Sequence, residues 1–153
     1  MSFAEGTSVP VEKSRAEIEK LITRYGATST AFMNGPGRSV IAFECKGRRV
    51  AFNLPLPTIE EKRFQKDGRG SVRTQQKRCE AWEQVCRQRW RALALVIKAK
   101  LEAVESGITE FEDEFLAHIV TPDGRTVGDR IKPQIARMYE TGEMLPLLPG
   151  PAQ

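Results

Sequence analysis

Residues 38–57 read Arg-Ser-Val-Ile-Ala-Phe-Glu-Cys-Lys-Gly-Arg-Arg-Val-Ala-Phe-Asn-Leu-Pro-Leu-Pro, and their pattern decides the fold. Lys46-Gly47 separates two strand-like runs, Arg38 to Cys45 and Arg48 to Leu54. A two-residue hairpin turn pairs Cys45 with Arg48, Phe43 with Val50 and Ile41 with Phe52. Every apolar residue then lies opposite another on one face, and a one-residue slip would turn all of them outward. Pro55 and Pro57, which lack the amide hydrogen that a ladder needs, end the sheet. Upstream, Ala27 to Met33 reads as a further strand, closed by the turn signal Asn34-Gly35-Pro36-Gly37.

Helical spacing flanks this sheet on both sides. Ser14 and Glu17 form a capping-box pattern before Ile18, Leu21, Ile22 and Tyr25, which predicts a helix from Ser14 that ends at Gly26. Residues 1–13 are expected to form a flexible arm. Residues 58–74 predict a flexible basic loop with Gly68 and Gly70 as pivots. From Gln75 to Ser106, Trp82, Cys86, Trp90, Leu93, Ile97, Leu101 and Val104 recur every three or four residues, the stripe of one long helix. Gly107 stops it. Thr109 with Glu112 is a second capping box, opening a short helix with Phe111, Phe115, Leu116 and Ile119 inward. After the Thr121-Pro122-Asp123-Gly124 turn, a last helix is expected from Lys132 or Pro133, with Gly142 beyond its end. Pro146, Pro149 and Pro151 predict an extended tail over 145–153. The expected architecture is a single α+β domain over 14–144. A short three-stranded antiparallel sheet packs on the long helix, and the C-terminal half is helical.

A chain of 153 residues is one domain's worth, able to bury about 70% of its unfolded surface. No apolar run reaches the roughly 18–20 residues that span a bilayer, so no membrane association is expected. The first residues show no basic segment followed by an apolar one, and the cytoplasm is the expected compartment. Three cysteines without a close pair fit a reducing environment. On a helix, Cys79 and Cys86 lie about 10.5 Å apart along the axis, beyond disulfide reach. One histidine, His118, and no Cys-x-x-Cys pair give no zinc site, and no cofactor is implied. A dyad of His118 with a cysteine is conceivable, but a lone histidine in an apolar run is more often a packed side chain.

The strongest functional signal is charge. Lys62 to Lys100 holds twelve Lys or Arg against Asp67, Glu80 and Glu83, a local balance of +9 in a chain of net +4, which leaves −5 for the rest. A solvated helix surface explains part of it, because basic stems can cover the edge of a core stripe. Most of these cations nevertheless lack an acid at i,i+4 spacing, and unbalanced cations suit a polyanion through counterion release. Lys62, Arg63, Lys66, Arg69, Arg73, Lys77 and Arg78 are the expected phosphate contacts, assisted by Arg87 and Arg91. Phe64, between Arg63 and Lys66, is a candidate for stacking on bases, whereas Trp82 and Trp90 lie on the core stripe.

Two carboxylate features stand beside this one. Leu101 to His118 carries Glu102, Glu105, Glu110, Glu112, Asp113 and Glu114 without a Lys or Arg. Acids in the first turn of a helix oppose its dipole, and the same patch could dock on the basic loop of a second copy to give a homo-oligomer. Glu44 and Lys46 project from one strand face and resemble the Glu-x-Lys half of the restriction-endonuclease-like nuclease motif. That resemblance implies a carboxylate that holds Mg²⁺ and a lysine that positions the attacking water. The acid that the family carries on the preceding strand has no counterpart in Ala27 to Met33.

The order of Arg24-Tyr25-Gly26-Ala27, Arg49 to Pro57, Gln88-Arg89-Trp90-Arg91-Ala92-Leu93, Lys98 to Glu105 and Pro122-Asp123-Gly124 resembles small, mostly uncharacterised phage and prophage proteins. The resemblance runs from about residue 14 onward and implies a small accessory protein that binds nucleic acid or a host protein. The leading expectation is a non-enzymatic protein that binds DNA or RNA through residues 62–100. The alternatives are a module or inhibitor that engages an acidic host protein surface, and a Mg²⁺-dependent nuclease.

Overall fold

Lys46 and Gly47 adopt left-handed backbone angles, φ 52° and 73°, in the computed structural model, which describes residues 2–148. Two successive positive φ angles make the turn that matches the natural twist of a hairpin. β2 (Arg38–Cys45) and β3 (Arg48–Pro55) pair antiparallel with Cys45 opposite Arg48, Phe43 opposite Val50 and Ile41 opposite Phe52. This is the register that the apolar alternation requires. β1 (Ser29–Gly35) joins the other edge of β2 through Pro36-Gly37, giving the order β1-β2-β3. It starts later than the expected Ala27, whose amide instead bonds to the Ile22 carbonyl at 2.9 Å as the chain leaves the first helix.

The buried face of the hairpin, Ile41, Phe43, Cys45, Val50, Phe52 and Leu54, forms one core with Trp90, Leu93, Ala94, Ile97 and Leu101 of α3 (Gln75–Glu105). α1 (Val11–Arg24) contributes Ile18 and Ile22, and α4 (Phe111–Phe115) inserts Phe111 and Phe115. Phe115 meets Phe43 and Phe52 edge-on, with centroids 6.1 and 6.2 Å away, the geometry that the ring quadrupoles favour. The fold is α+β, a three-stranded antiparallel sheet packed on a long helix with a helical C-terminal part. Among the described residues no helix is long and apolar enough to cross a membrane.

Three helix starts differ from the sequence expectation, each for a local reason. α1 begins at Val11, with Pro10 in the cap position and its carbonyl accepting from Lys13 and Ser14. Ser14 is therefore a helix residue, fully buried, and not a cap. α4 is capped at Glu110, while the Thr109 hydroxyl donates to the Glu110 carbonyl. Leu116, expected inward, is half exposed in the 3₁₀ turn Leu116–His118, and Ile119 bridges to Val50 at the sheet edge. α5 (Val127–Thr141) starts before the expected Lys132, because Thr126 caps it by accepting from the Asp129 amide at 3.1 Å. Pro133 then lies inside the helix, where it cannot donate to the Asp129 carbonyl. The Arg125 guanidinium donates to that carbonyl instead, at 3.1 Å. Gly142, at φ 72°, closes α5 as its spacing predicts. The expected tail reaches Pro149 and Pro151, which lie outside the described residues.

His118 packs at the edge of this core, stacked on Phe52 at 4.0 Å. Burial, and then the charge of Lys100, lower its pKa. A histidine whose folded pKa lies below its unfolded value leaves stability unaffected at high pH. It removes stability as pH falls through the unfolded value of about 6.5, where the unfolded chain gains the proton first. The urea midpoint is therefore expected to fall between about pH 8 and pH 5.5 in the native chain. In His118→Gln this step should be absent.

Candidate nucleic-acid interface

The chain leaves β3 through Pro55-Leu56-Pro57 and enters a segment that the sequence reads as a flexible loop. The structure corrects this. α2 (Lys62–Gln65) packs against α3, and Phe64 at its centre is only 2% exposed. Phe64 is thus an anchor that fastens α2, not a platform for a base. Its neighbour Arg63 lies over the Phe64 ring and pairs with Glu61 at 2.8 Å.

The following turn is organised by one carboxylate. Asp67 Oδ1 accepts from the amides of Arg69 and Ser71, both at 2.9 Å, and the Asp67 amide donates to the Ser71 carbonyl. Lys66 bridges to Val72, and the Arg73 amide donates to the Gln65 carbonyl at 2.8 Å. Residues 62–73 therefore form a miniature hairpin closed on α2. Asp67, the one acid from Lys62 to Cys79, ties down backbone donors and makes no ion pair among the described residues. Thr74 then caps α3 by accepting from the Lys77 amide at 3.3 Å. The first turn of α3 contains no acid, so Lys77 and Arg78 add positive charge to the positive end of the helix dipole.

The expected phosphate contacts now fall into two groups. Lys62, Lys66, Arg69 and Lys77 are exposed and make no ion pair among the described residues. Arg73 is half-buried and donates to the Arg63 carbonyl at 3.2 Å, and the buried Nε of Arg78 has no acceptor. Arg87 and Arg91 do not belong to this surface. Arg91 forms an ion pair with Glu17 where α1 lies along α3. Arg87 donates through Nε and Nη2 to Gln84 Oε1, and the Gln84 amide is itself anchored on the Thr7 carbonyl at 3.0 Å. The N-terminal region thus holds Arg91 directly, through Glu17, and Arg87 at one remove, through Gln84.

The remaining candidates separate in the same way. Trp90 is core as its spacing predicts, but Trp82 is only half-buried, lies outside the core cluster and donates its indole N–H to the Pro57 carbonyl at 2.8 Å. Lys46 sits in the hairpin turn at φ 52°, so it does not share a strand face with Glu44. Glu44 contacts Arg49 at 3.5 Å and lies opposite Ser29 on β1. Among the described residues no group of three His, Cys, Asp or Glu side chains could hold a metal ion. His118 neighbours Phe52 and the Ala51 backbone rather than a thiol. The acidic stretch is partly neutralised, with Glu112 on Arg48 at 2.7 Å and Glu114 on Lys100 at 3.1 Å.

Reading the sequence missed Asp67 as the organiser of the turn, although Asp-Gly-Arg-Gly carries the signal of a side chain that bonds its own backbone two residues on. Comparison with protein-family models, curated proteins and solved structures gives no match to this chain. Asp67→Ala is expected to release the Arg69 and Ser71 amides, raising their hydrogen-exchange rates about tenfold or more at unchanged global stability. Unchanged exchange would show that the turn holds without the carboxylate.

Proposed function

We propose that this is a non-enzymatic accessory protein, of the kind that phages encode, which binds nucleic acid on the 62–78 surface. The observation that carries the reading is the concentration of unpaired, exposed cations at Lys62, Lys66, Arg69 and Lys77 on an ordered backbone. Flexible lysines would lose conformational freedom on binding, whereas a hairpin already closed by hydrogen bonds holds its backbone in place before the ligand arrives. Such contacts go to phosphate oxygens and position the protein without reading sequence. The positive end of α3 beside Lys77 favours the same anion.

A second reading, a module that engages a host protein, draws on a different surface. Tyr139 and Met144 are 89% and 90% exposed at the C-terminal end, and Leu148 is also exposed. Exposed apolar side chains of this kind suit a protein partner better than a phosphate backbone.

Salt-dependent binding to random duplex and single-stranded DNA and RNA tests the leading reading. Four phosphate contacts give a slope of log affinity against log salt of about −3 to −4. Replacing Lys66 and Arg69 together by Gln should flatten the slope by about 1.5, while Arg91→Gln should leave it unchanged. No binding at low salt, or an equal effect of Arg91→Gln, contradicts the reading.

A further inference from the structure

The α3 stripe is not all core. Trp82 and Cys86 lie outside the core cluster that contains Trp90, and all three line a cleft of about 570 Å³. The cleft opens between α3, the start of α1 and the β1–β2 turn. Its size falls within the roughly 300–1,000 Å³ of small-molecule sites. Both tryptophans of the chain face it.

Its chemistry is specific. Trp82 is fixed by its bond to Pro57, and Trp90 is braced by Phe32, with centroids 6.2 Å apart, and by Arg15, 5.6 Å over the indole. Arg15 and Arg87 both line the cleft, and neither makes an ion pair among the described residues. The Gln84 contact holds Arg87 through Nε and Nη2, leaving Nη1 to donate elsewhere. On the sheet side, the buried Ser39 hydroxyl donates to Asn34 Oδ1 at 2.6 Å, so the Asn34 amide keeps both of its hydrogens for a ligand. Glu12 and Glu83 add acceptors. α2 packs on the same helix, α3, that supplies Trp82, Cys86 and Arg87 to the cleft. Burial pushes the Cys86 thiol pKa up, and the charges of Arg63 on α2 and of Arg87 oppose that rise.

The half-buried indole of Trp82, two guanidiniums without carboxylate partners, a free amide donor and carboxylate acceptors suit a planar heterocycle that carries an amino group and an anion. We infer that the cleft binds a nucleotide. The base stacks on the half-buried Trp82 indole, the phosphate meets Arg87 and Arg15, and a ring amino group donates to a carboxylate. The nucleotide is either a free mononucleotide or an unpaired nucleotide of a strand lying on the 62–78 surface. Only the second source rests on the proposed function.

The tryptophan emission of the full chain reads the site directly, because no tryptophan lies elsewhere. Nucleoside 5′-monophosphates are expected to change it saturably, and ribose 5-phosphate, which cannot stack, to leave it unchanged. Arg87→Met should weaken the nucleotide about tenfold, the loss of one charge-assisted hydrogen bond, with far-UV circular dichroism and unfolding midpoint unchanged. Arg15→Met serves as the second variant if Arg87→Met disturbs the fold. No saturable change at millimolar nucleotide, or equal affinity in both variants, overturns the inference. A mononucleotide that displaces a bound oligonucleotide identifies the strand as the source, and quenching without displacement identifies the free nucleotide. Oligonucleotide binding with no mononucleotide effect removes the cleft and keeps the 62–78 surface. The reverse pattern removes the surface and keeps the cleft.

Discussion

The antiparallel register of β2 on β3 is the constraint on which the rest of the molecule depends. It places Ile41, Phe43, Cys45, Val50, Phe52 and Leu54 on one face, and that face is what α3 packs against. The sheet is short and α3 is long, 31 residues or roughly 46 Å. The buried residues of α3 run from Cys86 to Leu101, so its first eleven residues, Gln75 to Val85, contain none. Those turns stand clear of the core. They carry Lys77 and Arg78, support α2 and border the cleft at Trp82. A shorter helix would satisfy the core and leave the 62–73 hairpin with nothing to pack on.

The hairpin and the body of α3 were legible because their signals are local. Lys46-Gly47 supplies the turn chemistry, alternation supplies the register, and the three-and-four spacing from Cys86 to Leu101 supplies the packed face. The start of α3 at Gln75 was legible too, but the starts of α1, α4 and α5 were not, because tertiary packing outweighs capping preference. Ser14 reads as a cap but is buried in α1, and Pro133 reads as a start but is accommodated by a guanidinium from Arg125. Phe64 looked isolated among cations, yet the surface that α2 packs on belongs to a helix that begins eleven residues later.

The same limit divides the candidate site. Lys66 and Arg91 are equivalent as letters, each a cation without a helical counter-ion. Arg91 differs only because α1 brings Glu17 beside it across 74 residues of chain. Gln84 meets the Thr7 carbonyl across 77 residues and thereby fixes Arg87. A charge count over 62–100 cannot separate cations with such partners from those without. Once the paired ones are set aside, the exposed cations of this stretch without an ion pair among the described residues are Lys62, Lys66, Arg69 and Lys77 on the 62–78 surface, with Arg89 and Lys98 further along α3. Glu112 and Glu114 on α4 form ion pairs within the fold. The charge asymmetry seen in the sequence is therefore sharper at the basic end than at the acidic one.

Amide hydrogen exchange of the full chain with and without a single-stranded oligonucleotide at low salt tests this division most directly. Slowed exchange confined to residues 62–78 and the residues around the cleft, with 101–114 and α5 unaffected, is the predicted result. Protection centred on α5 or on 101–114, with 62–78 unchanged, would contradict the account.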